Sequence, residues 1–331
     1  MAELRSGHGD AVAAEVLTAV VACYPDIGPG PPRILRNALS PNSAACVFEA
    51  GGSRYFAKGA YPARKTADWL AREHEVAAIA ADAGLPVPRI LRNVSGSTVT
   101  PGAKLLWAIS EGAAGEDRYK EASVFEPFET LAEAEAAGHM LARFHLALAD
   151  HDFPQRPFVG PVAQYGLLDV ETPEIPLDGW EEARELFRTL RVREIPESRR
   201  VIHGDWIKRN LFWDREDIAA ILDFDLVNRG AWVFDLALAI NALAYPWPFL
   251  AAGGEPHVAQ GQAIRAGYES IRPLAEAEAA VLPPLIATCR FEYHLSWALT
   301  ALREGDMKQA GWFWDGQVAS LRWWYNHRPD G

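Results

Sequence analysis

An α+β chain in two lobes is the fold this sequence predicts: a small N-terminal lobe built on an antiparallel sheet, then a larger, mainly helical C-terminal lobe. Three observations carry the expectation. Short apolar and β-branched runs separated by turn residues fill the first third, whereas around Leu131 and beyond apolar residues recur at helix spacing. The change of period falls across "EGAAGED" (111–117), whose small residues suit a connector. A chain of 331 residues is also long enough for about two domains with substantial cores. The expected division is 1–109 and 113–331, with a joint at about 107–112.

The elements follow in order. "AVAAEVLTAVVACY" (11–24) predicts an amphipathic helix capped by Asp10, with Val12, Val16, Val20 and Cys23 along one face. "YPDIGPGPP" ends it as a rigid loop. "ACVFEA", "GGS" and "RYFAKGA" read as strand, Gly-Gly turn and strand, with Lys58 near the end of the hairpin. The period turns helical from about Arg64 to Ala83, with Trp69, Val76 and Ala80 inward and Gly84 as the stop. Each proline of "LPVPRIL" keeps its predecessor out of the helix, so this stretch is extended. "KLLWAIS" is a further strand. Past the joint, residues 129–149 form a core helix through Leu131, Ala134, Gly138, Leu141, Ala142, His145 and Leu148. A loop rich in Pro and Gly (154–178) leads to a helix over about 179–191, and the last ninety or so residues form helices rich in Trp and Tyr.

Composition excludes several classes of function. Hydrophobic residues at 49% and charged residues at 23% are ordinary for a globular protein and oppose disorder. A formal net charge of −12 opposes binding to nucleic acid or to anionic membranes, because no excess of cations is available to replace phosphate counterions. No apolar run approaches the roughly 20 residues that span a bilayer. Cys23, Cys46 and Cys289 are odd in number and widely spaced, which fits neither a disulfide framework nor a zinc cluster and points to a reducing cytoplasm. Glu3, Asp10 and Glu15 spoil the basic start and apolar centre of a secretion signal.

"VIHGDWIKRNLFWDREDIAAILDFD" (201–225) concentrates the chemistry. "LFW" and "IAAILDF" flank the polar turn "DRED" and predict a hairpin with a four-residue loop. Asn210 then lies at the open end of the hairpin, opposite the residues around Asp223. An amide oxygen and a carboxylate at a strand end suit a hard cation such as Mg²⁺, which keeps water and phosphate oxygens in the rest of its shell. Asp205, in the loop before the hairpin, is placed to accept a proton from a hydroxyl nucleophile. Any one of these residues alone reads as a turn residue bonding its own backbone. The set H-x-D-x-x-x-x-N, followed by an apolar run ending in D-F, reads as chemistry because it carries its structural context with it.

"HGDWIKRN" with "ILDFDLVNRGAWVFDLA" resembles the catalytic segments of the aminoglycoside phosphotransferase and homoserine kinase superfamily, small-molecule kinases with a two-lobed protein-kinase-like fold. "RYFAKG", "REHEVAAIAADAGLPVPRIL" and "LARFH" fall in the order of that family, so the likeness covers most of the chain. The resemblance implies Asp205 as catalytic base and Asn210 and Asp223 as Mg²⁺ ligands. It implies Lys58 on the α- and β-phosphates of the nucleotide, oriented by an ion pair with Glu73; Glu75 is the rival, and because two helix positions differ by about 200° only one of the two can face the lysine. His203 and Asp235 are implied to brace the catalytic loop. The loop "ALSPNSAAC" lacks the glycines of protein kinases, which leaves Asn42 or Ser43 and backbone amides to cover the phosphates. The backbone of Trp107, Ala108, Ile109 and Ser110 would meet the purine edge, with ATP the expected donor and GTP the alternative.

For the acceptor, Trp206 is expected to narrow the site, and Lys208 and Arg209 either stabilise the transferred phosphoryl charge or form a solvated basic loop. Glu292, His294, Trp297 and Trp312, among twelve tryptophans, are expected to line an aromatic and acidic wall for a hydroxyl-bearing small molecule. Three functions compete: a kinase of an antibiotic such as an aminoglycoside or nucleoside, with a resistance or self-protection role; a metabolic kinase of homoserine or choline; and an inactive pseudokinase binding module, disfavoured because Lys58, Asp205, Asn210 and Asp223 are all present. The expected state is a cytoplasmic monomer or homodimer.

Overall fold

The computed structural model describes residues 11–40, 43–63, 65–121, 126–154, 177–192, 194–195, 200–245, 250 and 253–327; at 38–40, 292, 293 and 296 the description is of the backbone. The chain divides into two compact units, Met1–Glu116 with Ala219–Phe224, and Asp117–Ile218 with Asp225–Gly331.

In the first unit β1 (Arg33–Ser40), β2 (Ser43–Ala50), β3 (Ser53–Ala60), β4 (Thr100–Gly102) and β5 (Leu105–Glu111) form an antiparallel sheet in the order β1-β2-β3-β5-β4. The expected hairpin is β2–β3: Ala50 pairs with Ser53, and Gly51 and Gly52 close the turn at φ +56° and +81°, the left-handed pair that a tight two-residue hairpin demands. Gly51 is needed for a second reason, since a Cβ there would stand 2.6 Å from Gly28 Cα. The first helix, α1 (Ala14–Val21), begins later than its sequence suggests: Ala13 occupies the N-cap without a side-chain hydrogen bond, and Asp10 lies outside the described residues. Leu17, Val20 and Val21 form its inward face and join Cys46, Phe48, Trp107 and Ile109 in the core of this unit. α2 (Ala67–Asp82) is capped by Thr66, whose hydroxyl accepts from Trp69 N, and it buries Leu70, Glu73, Val76, Ala77 and Ala80.

The second unit holds α3 (Leu131–Ala147), α4 (Trp180–Leu190), β6 (Arg200–Ile202), β7 (Leu211–Asp214), β9 (Asn228–Gly230), α5 (Trp232–Ala244), α6 (Val258–Glu269), α7 (Glu276–Thr288), α8 (Phe291–Arg303) and α9 (Met307–Asn326). β8 (Asp217–Ile221) starts in this unit and continues into the first. The β7–β8 sheet turns through Arg215, at φ +56°, and Glu216, two residues where the sequence suggested four. α3 opens on a capping box in which Thr130 accepts from Glu133 N and the buried Glu133 carboxylate reaches back to Thr130 N. That carboxylate also accepts from Tyr119 Oη at 2.6 Å and from Arg118, which ties the segment before α3 to the helix.

Two glycines let α3 and α6 approach to backbone contact. A Cβ on Gly138 would lie 1.8 Å from the carbonyl oxygen of Ile264, and one on Gly267 would lie 2.0 Å from that of Glu135. α4, α8 and α9 form a separate apolar cluster in which Phe187 stacks on Phe291 at 4.3 Å and Trp314 is buried. Among the described residues no helix is long and apolar enough to cross a membrane, and the three cysteines are free thiols. Gly138→Ala is expected to lower stability by about 1–3 kcal/mol, because the clash is with backbone that cannot rotate away. Gly311→Ala, inside α9 with its nearest outside atom 3.7 Å from the added Cβ, is expected to raise stability by about 0.5–1 kcal/mol through helix propensity alone. Urea titration of both variants checks the pair.

Candidate active site

In the second unit the loop after β6 carries His203, Gly204 and Asp205. Gly204 adopts φ +77°, and a Cβ there would stand 2.4 Å from the carbonyl oxygen of Leu226, so only glycine allows the chain to turn at this point. Asp205 follows, half-buried. Asn210, at the end of the 3₁₀ turn Lys208–Asn210, donates its side-chain amide to both the carboxylate and the carbonyl oxygen of Asp205, each at 2.9 Å. With its nitrogen committed in this way, the carbonyl oxygen of the Asn210 amide is turned to the opposite side, where it is a hard donor of the kind a divalent cation takes.

The backbone of this loop is anchored from below. Asp235, the acidic residue of the first turn of α5, is 0% exposed and accepts from His203 N at 2.7 Å and Gly204 N at 3.0 Å. His203 is equally buried, with Phe144 and Trp206 edge-on to its ring, and its Nδ1 lies 3.3 Å from Asp205 N. Both residues therefore support the loop from inside the core.

The first unit holds the other charged part of the motif. Lys58 lies on β3, and its ammonium nitrogen is 2.9 Å from Asp223 Oδ1. Asp223 stands just past β8 at φ +60°, a left-handed conformation uncommon for a residue with a side chain and typical of functional positions. Glu73, the residue expected to orient Lys58, accepts from Lys65 through both oxygens, at 2.8 and 2.7 Å, and from Trp69 Nε1 at 3.0 Å. Lys65 sits immediately before α2, and Trp69 is one turn before Glu73 on the same helix face, so these donors reach the buried carboxylate locally. Glu75 is exposed, as the angular argument requires of one of the two.

Other expectations are corrected. Trp206 is 1% exposed and donates its indole N–H to Ala137 O, so it packs in the core and narrows no acceptor site. Lys208 is likewise buried: its ammonium donates to Glu126 O at 2.6 Å and lies 4.9 Å from the Tyr119 ring, and burial lowers its pKa to about 8. His294 is 2% exposed and bonded to Gln317 at 2.7 Å, while Trp297 and Trp312 both pack against Phe313 in the α4–α8–α9 cluster. Their helical spacing is that of a core. The side chain of Glu292 and all of Asn42 lie outside the described residues. Trp107, Ala108, Ile109 and Ser110 lie on β5, an inner strand whose backbone is already used: Ile109 O accepts from Leu91 N and Glu111 N donates to Arg89 O. Ser43 is 2% exposed, and its hydroxyl is buried without a hydrogen-bond partner.

Asn210 and Asp223 each offer an oxygen of the type a hard divalent cation takes. Among the described residues no group of three or more His, Cys, Asp or Glu forms a metal site by itself.

Comparison with known proteins follows from this geometry. The model of the phosphotransferase enzyme family matches residues 40–274. The homoserine kinase of Hyphomonas neptunium (strain ATCC 15444) is 29% identical over 175 residues, 50% of this chain and 53% of that protein. The chain spans about half the length, or less, of the curated relatives it matches. Among solved structures, a microcompartment-associated aminopropanol kinase superposes with a TM-score of 0.66 at 18% identity, covering 95% of this chain and 98% of that one. An amicoumacin kinase in complex with AMP-PNP and Ca²⁺ superposes with a TM-score of 0.65 at 15% identity, covering 92% of both. At these identities the likeness is one of fold, the two-lobed kinase-like fold.

The burial of His294 has a measurable consequence. Burial lowers its pKa to about 3, against about 6.5 for an exposed histidine. The unfolded chain then binds a proton that the folded chain does not over the interval between those values. Its contribution to stability is complete above about pH 6.5 and is lost as pH falls toward 3, with a slope approaching about 1.4 kcal/mol per pH unit. His294→Gln, which retains a hydrogen-bonding group toward Gln317, is expected to remove that slope from urea titrations run at pH 4 to 7.

Proposed function

We propose a function from one premise: the chain belongs to the phosphotransferase enzyme family. It transfers the γ-phosphoryl group of ATP to a hydroxyl of a small molecule. The observation that carries this reading is the Asp205 carboxylate, held by Asn210 on a loop whose backbone is bonded to the buried Asp235. A carboxylate fixed in this way, with a neighbouring amide oxygen and a second carboxylate at Asp223, is the equipment of in-line phosphoryl transfer.

Asp205 orients the acceptor hydroxyl and takes its proton as the acceptor oxygen bonds to phosphorus. The bond from phosphorus to the bridging oxygen of the β-phosphate breaks, ADP leaves with that oxygen, and no phosphoenzyme forms. Asn210 and Asp223 would hold Mg²⁺, which when bound supplies neutralising charge to the phosphates. With Asp223 engaged in that role, Lys58, which pairs with it at 2.9 Å, would be available to the nucleotide phosphates. The buried hydroxyl of Ser43 offers a donor to a phosphate oxygen, a use that its lack of a protein partner supports.

For the acceptor we infer a small amino alcohol of homoserine size. Sequence relatives named homoserine kinase support it over half of the chain, and the aminopropanol kinase is consistent with it at the level of fold. A hydroxyl-bearing antibiotic, with a resistance or self-protection role, is the second reading; the amicoumacin kinase favours it by fold, while the tryptophans that suggested an aromatic acceptor wall pack instead in the core.

The test is a mass-spectrometric screen with ATP and Mg²⁺ against homoserine, aminopropanol, choline, aminoglycosides and nucleoside antibiotics. A phosphate-mass gain is expected on an amino alcohol. Asp205→Asn should reduce it about a thousandfold while leaving ATP binding in calorimetry intact, and Asp223→Ala should abolish Mg²⁺-dependent ATP binding. Turnover by Asp205→Asn within about tenfold of the parent would show that this residue is not the base.

A further inference from the structure

Tyr268, His145 and Asp235 form a hydrogen-bonded chain inside the second unit that ends on the backbone of the Asp205 loop. The hydroxyl of Tyr268 lies 2.7 Å from His145 Nδ1, and His145 Nε2 lies 3.0 Å from Asp235 Oδ2. The same carboxylate receives the amide protons of His203 and Gly204. Tyr268 comes from α6, His145 from α3 and Asp235 from α5, and all three are 0% exposed. Sequence reasoning placed His145 in a core helix and in the family-like segment "LARFH", and Tyr268 in a terminal helical segment, and gave neither a role in the site.

Charge fixes the direction of every bond in the chain. Burial works to raise the pKa of Asp235, but the hydrogen bond and charge of His145, together with the His203 contacts, prevail and hold it below its ordinary value. Burial lowers the pKa of His145, and the Arg272 charge adds to this against the opposing pull of Asp235. Arg200 and Arg272 lie over the Trp232 indole, at 4.8 and 5.1 Å, and that indole stacks on the imidazole at 5.1 Å with the two planes 2° apart. An ionised carboxylate only accepts, so His145 Nε2 carries the proton. A neutral imidazole then has a lone pair at Nδ1, so the Tyr268 hydroxyl must be the donor there.

We propose that His145 is a positioning residue for Asp205, with the Tyr268 hydroxyl selecting its tautomer. Through Asp235 it holds the two amides that precede Asp205, and so sets where the Asp205 carboxylate points. Misplacement of a reacting group by about 1 Å costs on the order of a hundredfold in rate. Removing either side chain leaves the nucleotide-contacting residues of the first unit untouched. The kinetic part of the inference rests on the phosphotransfer reading; the structural part does not.

Tyr268→Phe and His145→Gln in the full chain test it, with two readouts: hydrogen exchange at the His203 and Gly204 amides, and steady-state turnover of ATP. Tyr268→Phe removes only a hydroxyl and serves if the histidine variant fails to fold. Both amides are expected to exchange at least about tenfold faster, and kcat to fall about tenfold or more, the usual loss when an outer hydrogen-bond partner is removed, with KM for ATP unchanged within about twofold. Unchanged exchange at both amides overturns the proposal, as does faster exchange with unaltered kcat in an active enzyme. Faster exchange in a chain whose parent turns over no ATP upholds the positioning role and overturns the phosphotransfer reading alone.

Discussion

The buried carboxylate of Asp235 is the constraint around which the second unit is organised. A charge removed from water costs several kcal/mol unless it is met by donors of good geometry, and here three N–H groups from two different segments meet it. One donor is a side chain; the other two are backbone amides of the catalytic loop. The loop therefore has no freedom to relax without exposing the carboxylate to an unmet charge. The close crossing of α3 and α6 at Gly138 and Gly267 serves the same end, because Tyr268 follows directly on one of those glycines. Helices spaced by ordinary side chains would hold that hydroxyl farther from His145, which lies two turns beyond Gly138 on α3.

The first unit solves a different electrostatic problem. Two of its acids each have a lysine, Glu73 with Lys65 and Asp223 with Lys58. The first pair is nearly closed to solvent, with side-chain exposures of 10% and 2%; the second is more open, at 22% and 38%. Water screens the open pair, so separating its members costs little. The closed pair is a fixed part of the fold, since separating it would leave a charge stranded in an apolar core.

What could be read from the sequence was what repeats along it or is punctuated by glycine. The β2–β3 hairpin announced itself through Gly51 and Gly52, the helices α2, α3 and α4 through their period, and the close grouping of His203, Asp205 and Asn210 through their spacing. β1 went unread because "RILRNALS" is an edge strand with charged and polar residues in mid-strand, and β4 because three residues carry no period. The β4–β5 turn places Ala103 and Lys104 at φ +48° and +65°, without the glycine that usually marks such a turn. That Lys65 reaches Glu73 depends on where it falls in three dimensions, which no local pattern encodes. Trp206, His294, Trp297 and Trp312 show the same limit: aromatic residues at helix spacing have one appearance in sequence, whether they face a core or a ligand.

The unit boundaries carry a last consequence. Ala219–Phe224 belongs to the first unit although nearly all of the chain before and after it, from Asp117 on, belongs to the second. Its backbone is held there by Ile221 N on Pro86 O at 2.8 Å, and its Asp223 by Lys58. A break at Glu116 would thus separate residues 1–116 from the segment that holds the partner of Lys58, and no contiguous stretch of the chain makes up either unit whole. Recombination could not exchange one unit for a foreign counterpart in a single crossover.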